Sequence, residues 1–157
     1  MQSWIYWQFK SYHDPTTQAM QRDGTVREGL YDPDTGLLLE GKAALLARPH
    51  AQAVAGDIRS LAFDPSSKRF CLAYAADLRV PTPTRVFAST RWHYPKGQHV
   101  TIVPAAKAVA RVSGDYVFVA VTADCQQDDV ISVCITAPAP PGPTGAPVAV
   151  DASSVVL

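Results

Sequence analysis

The residues able to do chemistry in this chain are few. Glu28 and Glu40 are its only glutamates, so a reaction needing two facing glutamate carboxyls, one acid and one base, has little to draw on. Glu28 sits in Arg27-Glu28-Gly29-Leu30-Tyr31. Glu40 stands beside a predicted helix start, where a carboxylate meets the positive end of the helix dipole; neither reads as a catalytic acid. His13-Asp14 has the composition of a dyad, but sequence neighbours point apart and Asp14-Pro15 is first a turn. No GxSxG, P-loop or dinucleotide fingerprint occurs. Cys71, Cys125 and Cys134 include no CxxC and no histidine at ligand spacing, which argues against zinc. Cys71, inside Phe70-Cys71-Leu72-Ala73-Tyr74, reads as a small buried thiol. Cys125 and Cys134 flank a predicted hairpin; an oxidising compartment would let them pair, but a disulfide also demands a geometry that sequence does not supply, so their state stays open.

The richest segment is aromatic. "SWIYWQFKSYHDPTT", Ser3 to Thr17, carries Trp4, Tyr6, Trp7, Phe9 and Tyr12 within ten positions. From Ser3 to Phe9 the residues alternate only partly, as in a strand buried on both faces of a parallel sheet. A long irregular stretch follows, punctuated by Asp23-Gly24, Asp32-Pro33 and Thr35-Gly36, with short extended pieces such as Val26 to Tyr31. One helix is predicted over Gly41 to Ala47, from its run of good formers and the stop at Pro49.

After Gly56 the pattern changes to short strands. Arg59 to Phe63 and Arg69 to Tyr74 flank Asp64-Pro65-Ser66-Ser67 as a hairpin. Thr84 to Ser89, His99 to Val103, Lys107 to Val112, Tyr116 to Val121 and Val130 to Ile135 continue the series, which suits an antiparallel sandwich of seven strands. Trp92, His93 and Tyr94, before Pro95-Lys96-Gly97, form an aromatic connection that reads either as a binding surface or as cover for the sandwich edge. "APAPPGPTGA", Ala137 to Ala146, is too rich in proline and glycine for a sheet and predicts a disordered or extended tail over 137–157.

Charge and length bound the rest. The formal net charge is zero, which offers no surplus for phosphates and argues against nucleic acid as a partner. No run of eighteen apolar residues and no secretory signal pattern is present, so no integral membrane segment and no address are predicted. A chain of 157 residues is too short for a complete α/β barrel.

The order "SWIYWQFKSYHDPTT", "EGLYDPDTG", "LARPHAQAVAGDIRSLAFDPSSKRFCLAYAAD" and "HYPKGQHV" resembles the C-terminal portion of glycoside hydrolase family 5 enzymes of the endoglycoceramidase type. In that family a last barrel strand, a loop and a final helix lead through a segment close to RPYPQAVAG into a β-sandwich. His50 departs mildly, where the family often has tyrosine.

The resemblance implies a mainly β chain: residues 1–49 as the final βα unit of an incomplete (β/α)8 TIM barrel, and 50–136 as an antiparallel β-sandwich. Active sites of such barrels lie at the C-terminal ends of the strands. There the resemblance makes Trp7 a platform beneath the sugar, followed by Gln8, Lys10 and Tyr12 toward the cleft mouth, while Trp4 and Tyr6 are favoured as barrel core. A pyranose presents a face of C–H groups that packs on an aromatic ring.

Retaining glycosidases hold two carboxyls about 5 Å apart; in this family both are glutamates on the fourth and seventh strands, upstream of Ser3. The implied catalytic residues in this chain are therefore none. The implied partner of the intact enzyme is a glycolipid or oligosaccharide, no cofactor is called for, and the piece alone is expected to be inactive. Family members are often secreted or lysosomal, and nothing in the chain selects between compartments. Two further readings stay open: a free-standing β-sandwich that binds glycans or lipids, and a family 5 relative acting on β-glucans or sterol glucosides.

Overall fold

The computed structural model describes residues 29–32 and 35–138. The description begins with a turn in which Gly36 N–H donates to the Asp32 carbonyl and Tyr31 bridges Leu38. Helix α1 follows at Glu40–Leu46. Ala43, Ala44, Leu45 and Leu46 favour it, and the chain leaves it three residues before Pro49 becomes the obstacle. None of its residues is buried. Its stability therefore rests on the neighbours it touches rather than on an apolar face.

Eight strands succeed it: β1 His50–Ala53, β2 Gly56–Asp64, β3 Arg69–Ala76, β4 Thr84–Phe87, β5 His99–Val103, β6 Ala108–Ser113, β7 Tyr116–Val121 and β8 Val130–Thr136. They form two four-stranded antiparallel sheets, β1-β4-β7-β6 and β2-β3-β8-β5. The chain is mainly β, with the antiparallel sandwich expected of it. Only β2–β3 and β6–β7 are hairpins within a sheet; the remaining connections cross between sheets.

Alternation decides what is inside. On β3 Phe70, Leu72 and Tyr74 face inward, and on β8 Ile135, Val133 and Ile131 stand opposite them in register. Val86 on β4 and Val117 and Val119 on β7 close the core from the other sheet. Period-two side-chain direction makes this possible, since each strand gives one face to the core.

Backbone groups at the sheet junction are also matched: Ala55 N–H donates to the buried Thr84 hydroxyl at 2.9 Å. Gly56, with φ at +149°, lies so close to β3 that a Cβ there would collide with the Ala75 carbonyl. Glycine supplies both the backbone angle and the space.

Three expectations need correction. The sandwich has eight strands, not seven: His50–Ala53 is a strand at the edge of its sheet, held by pairing with β4 rather than by β-propensity, since "HAQA" has little. The segment between β7 and β8 is no hairpin, because β7 pairs with β4 and β6 while β8 pairs with β3 and β5.

The third correction is the disulfide. It joins Cys71 to Cys134, with Cα atoms 4.2 Å apart, and leaves Cys125 a buried free thiol. Cys71 alternates with inward Phe70 and Leu72, so it points outward, and β8 register sets Cys134 directly across from it. The predicted helix matches α1 within one residue at each end. The expected tail lies outside the described residues from 139 onward.

Candidate functional site

The candidate sugar platform, Trp7 with Gln8, Lys10 and Tyr12, lies outside the described residues, as do Trp4, Tyr6, Glu28 and the His13-Asp14 pair. Glu40 is described. It occupies the first turn of α1 and stands 4.0 Å from the Arg91 guanidinium, both side chains largely exposed. An ion pair of that kind contributes little.

The aromatic connection between β4 and β5 is the best-defined of the sequence candidates, and it is firmly held. Ser89 carbonyl accepts from the N–H groups of both His93 and Tyr94. Asp115, in the β6–β7 turn, accepts from the Thr90 N–H at 2.7 Å and the Thr90 hydroxyl at 2.6 Å. Gln98 donates to the carbonyls of Ala88 and Gly114. Such a segment is a clamp between sheets rather than a loop that adapts to a ligand.

Its three aromatics go to three different places. Tyr94 is fully buried and belongs to the core, where burial pushes its phenol up to about 12. Trp92 is half-buried under the Arg91 guanidinium, 4.5 Å from the indole centroid. His93, 7% exposed, reaches across to α1.

The His93 Nε2 atom lies 2.9 Å from the Ala44 carbonyl. A carbonyl only accepts, so Nε2 carries the proton and the ring is the Nε2–H tautomer. Nδ1 is buried with no partner among the described residues. Phe63 of β2 meets the ring edge-on at 5.2 Å between centroids. Burial holds the His93 pKa below its ordinary 6.5, the Ala44 hydrogen bond opposing and Lys68 assisting. The ring thereby pins helix to sandwich in its neutral form.

The carboxylates whose surroundings shift them all move the wrong way for a general acid. The Ser67 and Ser66 side chains hold Asp64 down to about 2, Arg79 does the same for Asp77, and Lys107 lowers Asp129. A catalytic acid needs its pKa raised. Among the described residues no group of three or more His, Cys, Asp or Glu side chains is arranged to hold a metal ion. No helix of the described residues is long and apolar enough to cross a membrane.

One cluster had escaped the sequence reading. On the outer face of the β1-β4-β7-β6 sheet, His50, Phe87, Tyr116 and Phe118 form a continuous run of ring contacts, with Arg85 and Arg111 over two of the rings. Its signal lies in alternation: Arg85 and Phe87 interleave with inward Thr84 and Val86, and Tyr116 and Phe118 with inward Val117 and Val119. Sequence gives that period within a strand, but sheet order decides that the two strands are neighbours.

Residues 48–135 match the family described as the glycoside hydrolase family 5 C-terminal domain. No curated protein matches the chain. Among solved structures, endo-glycoceramidase II from Rhodococcus sp. in its ganglioside GM3 complex aligns at 24% identity and a TM-score of 0.54, covering 71% of this chain and 22% of that one. Its lactosyl-enzyme intermediate gives 24% identity, a TM-score of 0.53, and coverage of 71% and 23%. Sterylglucosidase 1 from Cryptococcus neoformans gives 18% identity, a TM-score of 0.46, and coverage of 60% and 14%. The chain thus spans less than a quarter of the length of endo-glycoceramidase II, and shares its fold over that span. With more than half of its residues inside the match, from just before β1 to the penultimate residue of β8, the chain belongs to the family of glycoside hydrolase family 5 C-terminal domains.

Proposed function

We propose that this chain is the C-terminal part of an endoglycoceramidase-like retaining glycosidase, which hydrolyses the O-glycosidic bond between an oligosaccharide and ceramide. The observation that carries the reading is the family match over the whole sandwich, together with the fold shared with an enzyme solved as a ganglioside complex. In this reading residues 1–49 are the last βα unit of a barrel, α1 is that barrel's final helix, and the sandwich is its C-terminal domain. The tie from His93 to Ala44 supports it, since it seats the helix on the sandwich by a part-buried hydrogen bond.

The labour divides between the chain's own residues and the rest of the barrel. Trp7 would stack beneath the sugar, with Gln8, Lys10 and Tyr12 lining the way out, while the nucleophile and the acid/base glutamates belong to barrel strands that precede Ser3. The lowered carboxylates of the sandwich fit this division, because none is tuned as an acid. The chain by itself is then a positioning and binding part without hydrolytic activity.

The test uses a fluorescent ganglioside. The purified chain releases no free oligosaccharide above a heat-killed control; fused behind family barrel strands one to seven, it restores cleavage. In that fusion Trp7→Ala lowers kcat/KM by roughly tenfold or more through lost stacking. Turnover by the chain alone, or a Trp7→Ala fusion as active as its parent, would refute the assignment.

A further inference from the structure

The outer face of the β1-β4-β7-β6 sheet is built in two adjacent rows. In one row, strand register sets His50 beside Phe87 and Phe87 beside Tyr116. Their rings touch in sequence at 5.2 and 5.8 Å between centroids, tilted by 40° and 65°. In the next row Arg85 stands beside Phe118, and Phe118 beside Arg111. Tyr116 and Phe118 join the rows at 6.3 Å. The Arg85 guanidinium lies 5.9 Å from the Tyr116 centroid, and that of Arg111 lies 4.9 Å from Phe118.

The face has one sign of charge. None of the four strands contains an aspartate or glutamate. The nearest acid in sequence, Asp115 in the β6–β7 turn, is engaged by Thr90. Among the described residues neither Arg85 nor Arg111 has a carboxylate partner, and both are exposed. A guanidinium resting over a ring keeps its N–H edge free, and that edge matches a carboxylate in a two-bond fork.

We propose that this face binds a carboxylated sugar. The pyranose lies on the Phe87–Tyr116 row and its carboxylate reaches the Arg85–Phe118–Arg111 row, two residues further along the strands and about 6.7 Å away. Charge complementarity selects this occupant over two others. A second copy of the chain meeting the same face in a two-fold arrangement would set arginine against arginine with no acid to separate them. A bilayer asks for protruding apolar groups or a larger basic patch, since each arginine near an anionic surface contributes about 1 kcal/mol; here the Phe87, Tyr116 and Phe118 rings lie half-buried in the sheet surface. The proposal does not depend on the hydrolytic assignment above, and holds or falls on binding alone.

The experiment titrates the full chain with sialylated lactose and with lactose by NMR at low salt. Sialylated lactose is expected to bind about tenfold or more tighter, the worth of one charge-assisted contact. Arg111→Gln and Arg85→Gln each remove most of that preference, Arg111→Lys keeps part of it, and high salt closes the gap. Tyr116→Ala weakens both sugars together. Both arginines are exposed, so thermal unfolding of their variants stays at the parent midpoint and separates lost binding from lost fold. The proposal is overturned by equal binding of the two sugars, by no binding of either, or by a preference that survives loss of both arginines. Co-sedimentation with phosphatidylserine vesicles without sugar binding, or a dimer that Tyr116→Ala dissolves, overturns it in favour of the other occupants.

Discussion

His93 carries an interaction that pH can switch. Its neutral ring donates from Nε2 to the Ala44 carbonyl while Nδ1 is buried with no partner among the described residues, so a second proton would sit in a site where those residues offer it no acceptor. Above its ordinary pKa of 6.5 the ring is neutral in folded and unfolded chains alike and contributes no slope. Below it the unfolded chain takes up the proton first, and stability falls as pH falls, by at most about 1.4 kcal/mol per pH unit. Urea midpoints measured from pH 7.5 down to pH 5 should show this decline, and His93→Gln, whose amide still donates to Ala44, should flatten it. An unchanged slope in the variant would assign the decline to another group. The sequence places His93 in an aromatic connection and leaves open whether it binds a ligand or covers the sandwich. The structure gives it α1 as its partner, forty-nine positions away, a contact that no local pattern encodes.

At the scale of elements, legibility followed the range of the contact. Strands β2 to β8 were readable because alternation is local: Phe70, Leu72 and Tyr74 announce one buried face whatever stands opposite. β1 was not, since Ala51 and Gln52 say nothing about strand until β4 offers them a ladder. Cysteine pairing failed for the same reason, because Cys134 faces Cys71 only once β8 has been set beside β3. The cross-strand disulfide lies on the outer face, with the Arg69 guanidinium 3.3 Å from the Cys71 sulfur. It closes a loop with a sequence separation of 63 and so removes much freedom from the unfolded chain. Reduction, or Cys134→Ser, is expected to lower unfolding free energy by about 2–4 kcal/mol. Thiol titration in denaturant checks the pairing directly: Cys125 alone reacts before reduction and all three cysteines after it. Three reactive thiols without reductant would contradict it.

For the molecule as a whole, the question is where the folding unit begins. Among the described residues the core is drawn from β1 to β8 and from the β4–β5 and β7–β8 connections, with no residue of α1 buried. The family match begins at Arg48. Helix and sandwich meet through His93 with Ala44, and at the surface through Arg91 with Glu40. The aromatic segment Trp4 to Tyr12, legible in the sequence as a strand that wants neighbours on both faces, lies outside the described residues, and the sugar platform at Trp7 is tested in the fused enzyme. A chain starting at Arg48 should therefore unfold cooperatively. Among the described residues its loss is that of one part-buried hydrogen bond and one exposed ion pair, about 1–2 kcal/mol. Paired urea melts of the two chains, followed by tryptophan fluorescence, which in the shortened chain comes from Trp92 alone, and by far-ultraviolet circular dichroism, measure the difference. Coincident transitions with a small downward shift locate the unit at the sandwich; a shortened chain that lacks a cooperative transition would make α1 part of the core it only touches.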